Sequence, residues 1–146
     1  MLSCTFFGHR DCPENIKPLL LAVLENLIVV CKVDVFYVGH QGRFDACVRS
    51  VLRQLADKYP HICYAVVLSY FSEKMNENLD YTDTMIPEGI ENIHPKYAIT
   101  WRNNWMLKKS DYVVTYIDHH WGGAAQFAKK AEKQGKTVVN LSDFRP

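Results

Sequence analysis

The stretch YVVTYIDHHWGGAAQFAKKAEKQGKTVVNL, from Tyr112 to Leu141, contains the pattern that decides the fold. Its first part, Tyr112–Ile117, is apolar and rich in β-branched and aromatic residues, which predicts a strand. Two glycines follow, and Ala124–Gln134 then has the composition of a helix. A second β-rich run, Thr137–Leu141, predicts another strand. A strand, a helix and a strand in this order are typical of a parallel β-α-β unit.

The same alternation of short β-rich runs and longer helical patterns extends over the rest of the chain. The further predicted strands are Ser3–Phe7, Asp34–Val38 and Ile62–Leu68, and the further predicted helices run from Pro13 to about Val30, from Phe44 to about Lys58 and from Pro95 to about Lys109. We therefore predict a single α/β domain over residues 1–146. Its expected fold is a doubly wound, Rossmann-like, mainly parallel five-stranded sheet with helices on both faces.

One segment breaks the alternation. Between about Ser69 and His94 the sequence has no clear helical or strand periodicity. Connections of this length are uncommon in small domains and often form lids or binding loops. We expect an irregular segment there.

Composition restricts the class of protein. The 146 residues are 48% hydrophobic and 23% charged, as in ordinary globular proteins, and the formal net charge is only +1. Near-neutral charge disfavours a nucleic-acid partner and gives no reason to expect a membrane surface. The five cysteines are scattered without a CxxC pair, which is typical of a reducing compartment. The start lacks the pattern of a signal peptide, so we expect a cytoplasmic location.

Glycines, arginines and histidines are concentrated where the predicted strands end. Because all carboxyl ends of parallel strands lie along one edge, these residues are expected to meet at a single binding site. The predicted members are Gly8, His9, Arg10, Gly39, Gly42, Arg43, Asp45, Gly122, Gly123 and Ala124. Glycines allow backbone N–H groups to approach an anion, helix N-termini favour negative charge, and arginines can grip phosphate. The alternatives are glycines that only turn the chain and arginines that form solvated surface salt bridges.

The histidines at this edge raise the question of a metal. His119 and His120 are adjacent, so their side chains point apart, and no HxH or HExxH spacing occurs. A metal would require His9, His40 and one of that pair to converge. We therefore predict neither a metal nor a bound cofactor. The GxGxxG, GxxxxGK[ST] and GxSxG motifs are also absent, which excludes the standard dinucleotide fingerprint, the P-loop and the nucleophile elbow.

The second half of the chain contains an ordered set of short motifs: Arg102 precedes Met106 by four residues, Ser110-Asp111 opens a predicted strand, and Gly122-Gly123 follows that strand. In this order the motifs resemble the SLOG superfamily, which includes the Lonely Guy (LOG) phosphoribohydrolases and the smaller YpsA-like proteins, and Gly122-Gly123 matches the double glycine of the LOG loop. The segments FFGHR and GHQGRFD are similar to the ends of the first two strands in the YpsA-like branch. The order of these motifs covers most of the chain.

The resemblance implies a nucleotide or another phosphate-containing small molecule as the ligand, with Arg102 in the site. It also implies a homodimer, since LOG relatives are dimers or larger, unless Trp101 and Trp105 are buried within one subunit. The chain departs from the LOG pattern at the catalytic glutamate, whose position holds Lys129. A lysine cannot stabilise oxocarbenium character as a carboxylate does. Glu132 lies three residues further on.

Three functions therefore stay open at this point. The first is a domain that binds or senses a nucleotide or nucleotide derivative at the carboxyl edge of the sheet. The second is a phosphoribohydrolase that uses another carboxylate, with Asp118, Asp45 and Glu132 as candidates. The third is a nucleic-acid binder, by analogy with the DNA-processing branch of the superfamily, and the near-neutral charge counts against it.

Overall fold

A six-stranded, entirely parallel sheet forms the centre of the molecule in the computed structural model, which describes residues 1–70 and 83–144. The strands lie in the order β4-β3-β2-β1-β5-β6. Their bounds are β1 Leu2–Gly8, β2 Val33–Val38, β3 Cys63–Val67, β4 Thr84–Met85, β5 Tyr112–Tyr116 and β6 Thr137–Asn140.

In the described part of the chain, four α-helices connect and cover these strands. They are α1 Lys17–Val29, α2 Gly42–Lys58, α3 Pro95–Lys109 and α4 Gly123–Lys133. Helix α3 has the predicted bounds, and its first turn is capped by His94, whose Nδ1 accepts a hydrogen bond from the backbone N–H of Lys96 at 3.1 Å. Gly135, with φ of 77°, follows the end of α4 in the left-handed conformation that commonly terminates a helix.

The prediction that the first helix starts at Pro13 was wrong. Residues Glu14–Ile16 form a 3₁₀ turn, and α1 begins only at Lys17. Pro18 explains the difference, because inside a longer helix its ring would clash with the carbonyl of Glu14, four residues earlier. At the first turn of α1 the same ring causes no conflict.

The predicted number of strands was also wrong. A sixth strand, β4, lies within the segment expected to be irregular and pairs in parallel with β3, Val66 opposite Thr84 and Val67 opposite Met85. Two residues are too few to give a periodic pattern, so the sequence contained no usable signal. Residues 71–82 of the same segment, expected to be irregular, lie outside the described residues.

Helices cover both faces of the sheet. The side chain of Phe6 packs with the buried residues of α1 and α2, among them Leu24 and Leu52. The next residue, Phe7, points to the other face and packs with Met106 of α3 and Phe127 of α4. This alternation along one central strand is the signature of a strand buried on both sides, and it confirms the α/β, doubly wound class.

No helix within residues 1–70 and 83–144 is both long and apolar enough to span a lipid bilayer.

Candidate functional site

The chain reverses the direction of strand addition at β1, and a pocket opens at that point. β1 pairs with β2 on one side and with β5 on the other, so the loops after β1 and β5 diverge there. Ligands bind at such switch points in open parallel sheets. A pocket of about 460 Å³ lies at this position. It is lined by Phe6, Phe7, Gly8, His9, Arg10, Asp11, Gln41, Asp45, Ile99, Arg102, Asn103, Met106, His119, Trp121, Gly122, Gly123 and Ala124.

Most of the predicted site residues line this pocket. The structure brings together Gly8, His9, Arg10, Asp45, Arg102, Gly122, Gly123 and Ala124. It does not place Gly39, Gly42 or Arg43 among the lining residues. The guanidinium of Arg43 instead donates to the carbonyl of Cys12 at 3.2 Å, beside a separate hollow between the starts of α1 and α2.

Three of the predicted glycines are tightly surrounded by other parts of the protein. A Cβ atom at Gly8 would lie 2.3 Å from Cγ of Phe44, and one at Gly39 would lie 2.7 Å from Oδ2 of Asp45. At Gly42 the backbone has φ of 85°, and a Cβ would lie 2.9 Å from Cγ of Arg10. Packing or backbone conformation therefore explains each of these glycines without a ligand.

The glycine pair at the start of α4 has different surroundings. Apart from the adjacent residues and the backbone of α4 itself, no described atom lies within 4 Å of a Cβ built at Gly122 or Gly123. Gly122 has φ of 96° and ψ of 167°, a conformation that only glycine adopts readily. Gly123 is not among the residues with positive φ. Neither crowding nor backbone conformation within the described structure therefore explains why position 123 is glycine.

The N-terminus of α4 is open toward the pocket. Gly122, Gly123 and Ala124 all line it, and no side chain caps the first turn of the helix. The first N–H groups of an α-helix have no partner within the helix, and the helix dipole makes this end favourable for negative charge. The end of β5 thus presents a set of backbone donors suited to an anion.

Arg102 lies in the floor of the pocket and is only 2% exposed. Its Nη1 donates to the carbonyl of Val67 at 2.9 Å, its Nη2 to Oε1 of Gln41 at 2.7 Å, and its Nε to Oδ1 of Asn103 at 2.9 Å. The guanidinium therefore ties α3 to the end of β3 and to the loop after β2. Two of its five N–H groups have no partner in these three bonds.

Asp45 is a partly buried carboxyl group beside this arginine. Its Oδ2 accepts a hydrogen bond from the backbone N–H of Gln41 at 3.1 Å. Burial raises the pKa of Asp45 to about 6, although this hydrogen bond and the charges of Arg102, Arg49 and Arg10 act in the opposite direction. A pocket carboxyl group that titrates near neutral pH can exchange protons with a ligand.

Stacked rings form the wall of the pocket next to α4. The rings of His9 and His119 stack with centroids 3.5 Å apart, and those of His119 and Trp121 stack at 3.9 Å. Trp121 is 63% exposed, although the ring of His120 also meets it edge-on at 5.4 Å, so part of the indole is accessible to a flat ligand. Burial, followed by the neighbouring His119, lowers the pKa of His9, while Asp118 acts to raise it.

Sequence reasoning did not include several of the lining residues. Gln41 and Asn103 hold the arginine, and His119 and Trp121 form the stacked wall. Two of these residues could have been predicted, because His119 and Trp121 lie within three residues of the glycine pair. Asn103 depends on the direction of a helical side chain, which the residue pattern does not specify.

Comparisons with known proteins were made by sequence and by structure. Neither a protein-family model nor a curated protein matches the sequence. The structure is similar to that of DNA processing protein A (DprA) from Streptococcus pneumoniae, with a TM-score of 0.65 and 16% sequence identity. The match covers 94% of this chain and 49% of the DprA chain, so this chain spans about half of that protein. What the two chains share is the arrangement of strands and helices, and the fold of this protein is Rossmann-like.

Proposed function

We propose that the protein binds a nucleotide or nucleotide derivative in the pocket at the end of β1 and β5. The observation that carries the proposal is the open turn at Gly122-Gly123, which presents the uncapped N-terminus of α4 to the pocket. Backbone N–H groups in this arrangement bind phosphate in many proteins. A side chain at position 123 would stand in the space that an oxyanion would occupy.

Two further features fit a nucleotide better than a bare phosphate. Arg10 also lines the pocket and supplies a positive charge to it. Trp121, stacked on His119 and 63% exposed, offers aromatic surface on which a nucleobase can stack.

The proposed family is the SLOG superfamily, in its LOG or YpsA-like branches. The likeness in fold to DprA is compatible with this assignment but does not select a branch. Support at the level of residues comes from the motif positions, because Arg102, Met106 and the glycine pair all line the same pocket. A homodimer and a cytoplasmic location remain part of this proposal.

Thermal stability measured with a panel of nucleoside mono- and diphosphates tests the proposal. A ligand at about 100 times its dissociation constant stabilises the folded state by about 2.7 kcal/mol, which raises the melting temperature by several degrees. Gly123→Val should remove this shift. Arg43→Ala is the matched control, because Arg43 lies outside the pocket, and it should keep the shift. An equal shift in wild type and Gly123→Val would contradict the proposed site.

A single-stranded oligonucleotide belongs in the same panel, because the name of the structurally similar protein refers to DNA processing. The net charge of +1 leads us to expect no strong binding. Oligonucleotide binding that exceeds nucleotide binding, and that persists in Gly123→Val, would replace the first proposal by a nucleic-acid function.

A second candidate function is hydrolysis of the glycosidic bond of a nucleoside monophosphate, and Asp45 is the observation that favours it. Of the three carboxylates considered, only Asp45 lines the pocket. Glu132 is exposed on α4 and does not line it, and neither does Lys129, at the position of the LOG glutamate. Asp45, with a pKa raised by burial to about 6, is ionised above that pH and could then stabilise positive charge on the sugar.

Release of free base from nucleoside monophosphates distinguishes this enzyme from a binding domain. The enzymatic function predicts release by the wild-type protein, with a rate that falls as pH decreases through about 6. Asp45→Asn should abolish the release and leave nucleotide binding intact. If the wild-type protein binds nucleotides but releases no base, only the binding function remains.

A further inference from the structure

Three side chains at the mouth of the pocket form a cluster that nucleotide binding does not explain. Nε2 of His9 lies 3.6 Å from Oδ1 of Asp118, and Nε2 of His119 lies 3.7 Å from the same oxygen. The three donor atoms all lie within 4.8 Å of one another. Among the described residues this is the group of histidine, cysteine and carboxylate side chains with spacing suited to a metal ion.

These distances are too long for hydrogen bonds and close to those within a metal site. A hydrogen bond from a ring N–H to a carboxylate is about 2.7–2.9 Å long. Ligands of a tetrahedral ion with bonds of about 2.0–2.1 Å are about 3.4 Å apart. A shift of a few tenths of an ångström would bring His9 and His119 to that separation from Asp118, with the parallel rings tilting to aim their lone pairs at one point.

His9 supplies an independent observation. The residue is 6% exposed, and its Nε2 atom is buried without a hydrogen-bond partner. Leaving such a group unpaired costs about 1–3 kcal/mol, so buried polar atoms normally have a partner. The atom points toward Asp118 and His119, where a cation would satisfy it.

His119 is held as metal-binding histidines usually are. Its Nδ1 lies 3.1 Å from the carbonyl oxygen of Trp121, which can only accept a hydrogen bond. The proton is therefore assigned to Nδ1, and the lone pair of Nε2 faces the cluster. A backbone acceptor on the second ring nitrogen fixes the orientation of a histidine ligand in this way.

We propose that His9, Asp118 and His119 bind one divalent first-row transition metal ion of the Zn²⁺ class. Two imidazoles and one carboxylate suit Zn²⁺, Co²⁺ or Ni²⁺, whereas Mg²⁺ and Ca²⁺ prefer sites made of oxygen ligands. Three protein ligands leave a coordination position open. Since His9 and His119 also line the pocket, that position faces it.

This site was not predicted from the sequence, because His40 and not Asp118 was considered as the third ligand. In the structure His40 lies outside the cluster, with its ring against that of Tyr70 at 5.9 Å. Asp118 takes the third place, and it could be recognised only once the ends of β1 and β5 were known to be adjacent. The proposal does not depend on a nucleotide, so it can be tested without one.

Calorimetric titration of the EDTA-treated, full-length protein with ZnCl₂ tests the proposal, with MgCl₂ as the comparison. We expect one equivalent of Zn²⁺ and no comparable binding of Mg²⁺. His119→Gln and Asp118→Asn should weaken the Zn²⁺ site by at least about tenfold, or about 1.4 kcal/mol. Both positions are less buried than His9, so these variants are expected to fold, and circular dichroism checks this.

The adjacent His120→Gln is the matched control, because it also removes a histidine next to Trp121 but lies outside the cluster. It should keep the full affinity. Co²⁺ absorption spectra of the same four proteins report whether nitrogen ligands are lost. The absence of stoichiometric Zn²⁺ binding, or an equal loss in His119→Gln and His120→Gln, would overturn the site and leave adventitious surface binding only.

Discussion

Two halves of the carboxyl edge of the sheet contain glycines at strand ends, and the reasons for the glycines differ. At the ends of β1 and β2, the space beside Gly8 is filled by Phe44 and the space beside Gly39 by Asp45 and Arg102. At the end of β5, apart from adjacent residues and the backbone of α4, no described atom lies within 4 Å of a Cβ at Gly122 or Gly123. We call the first the filled half and the second the open half.

The difference shows that glycine can be required at the end of a strand for at least two physical reasons. In the filled half, a side chain of the same protein comes too close for any Cβ. In the open half, one glycine adopts a backbone conformation that other residues avoid, and the second has no cause within the described protein. Four variants test this comparison, and they are ordered by their expected effect on the free energy of unfolding.

Gly8→Ala should have the largest effect. Its methyl group would lie 2.3 Å from Cγ of Phe44, a buried ring at the start of α2. Overpacking typically costs about 1–3 kcal/mol, and so short a separation puts this variant at the upper end of that range. Denaturant unfolding measures the loss. Gly123→Ala makes the same chemical change in the open half and is the control. A loss of under about 0.5 kcal/mol in Gly8→Ala would remove the distinction between the halves.

Asp45→Asn should have the next largest effect, and the effect should depend on pH. Since burial raises the pKa of Asp45 to about 6, above its usual value of 3.8, the folded state favours the protonated form. This contribution is fully present below about pH 4 and is lost as pH rises through about 6. Removing the charge should therefore stabilise the variant relative to wild type by on the order of 2 kcal/mol above pH 7, and much less near pH 4.

Urea unfolding of both proteins at several pH values gives this difference, since the other titrating groups are the same in both. The amide oxygen that Asp45→Asn introduces can still accept the hydrogen bond from the backbone N–H of Gln41. Asp57→Asn, at an exposed position of the same helix, is the control for loss of a charge. If the difference between Asp45→Asn and wild type is the same at all pH values, the carboxyl group is not destabilised by burial in the filled half.

Gly122→Ala should cost about 1–3 kcal/mol through the backbone alone, because φ of 96° with ψ of 167° is nearly restricted to glycine. No side chain stands in the way, so the loss should be similar for Gly122→Ala and Gly122→Ser. Thermal unfolding by calorimetry measures both. A loss that grows with side-chain size would mean that the open half is crowded in solution.

Gly123→Val should have the smallest effect on folding. The position has neither a positive φ nor a close neighbour, and substitutions at such surface positions typically change stability by under about 0.5 kcal/mol. The melting temperature should stay within a few degrees of wild type. A large loss of stability would mean that the fold itself requires glycine at position 123. It would then no longer point to an anion at the helix end.

Much of the fold followed from the sequence because the strands and helices have strong periodic patterns. The start of α3 follows from Pro95, and the strand β3 was visible as an almost continuous apolar run. The two-residue strand β4 was not predictable, because its pairing with β3 depends on tertiary structure alone. The start of α1 was predictable in principle, since Pro18 prevents a helix from running through from Pro13.

The site was predicted less completely, since adjacency of strand ends does not specify the direction of side chains. Gly8 and Asp45 were placed at the correct edge, but the closeness of Gly8 to Phe44 and the electrostatic influence of Arg102 on Asp45 arise from packing between elements. Arg43 follows Gly42 in the first turn of α2, and yet its guanidinium donates to the carbonyl of Cys12. Whether a side chain at the start of a helix faces the pocket depends on its position around the helix axis. Sequence spacing alone does not specify that position.

The central position of β1 has a consequence for how the chain folds. One of its partners, β2, follows soon after in the sequence, but the other side is bonded to residues more than a hundred positions later, as in the hydrogen bond from Ser3 to Asp111, 108 residues apart. During synthesis at about 5–20 residues per second, that edge of β1 stays unpaired for on the order of 5–20 s. An apolar parallel strand with an open edge is prone to intermolecular pairing. We therefore expect slow folding and a dependence on chaperones during translation.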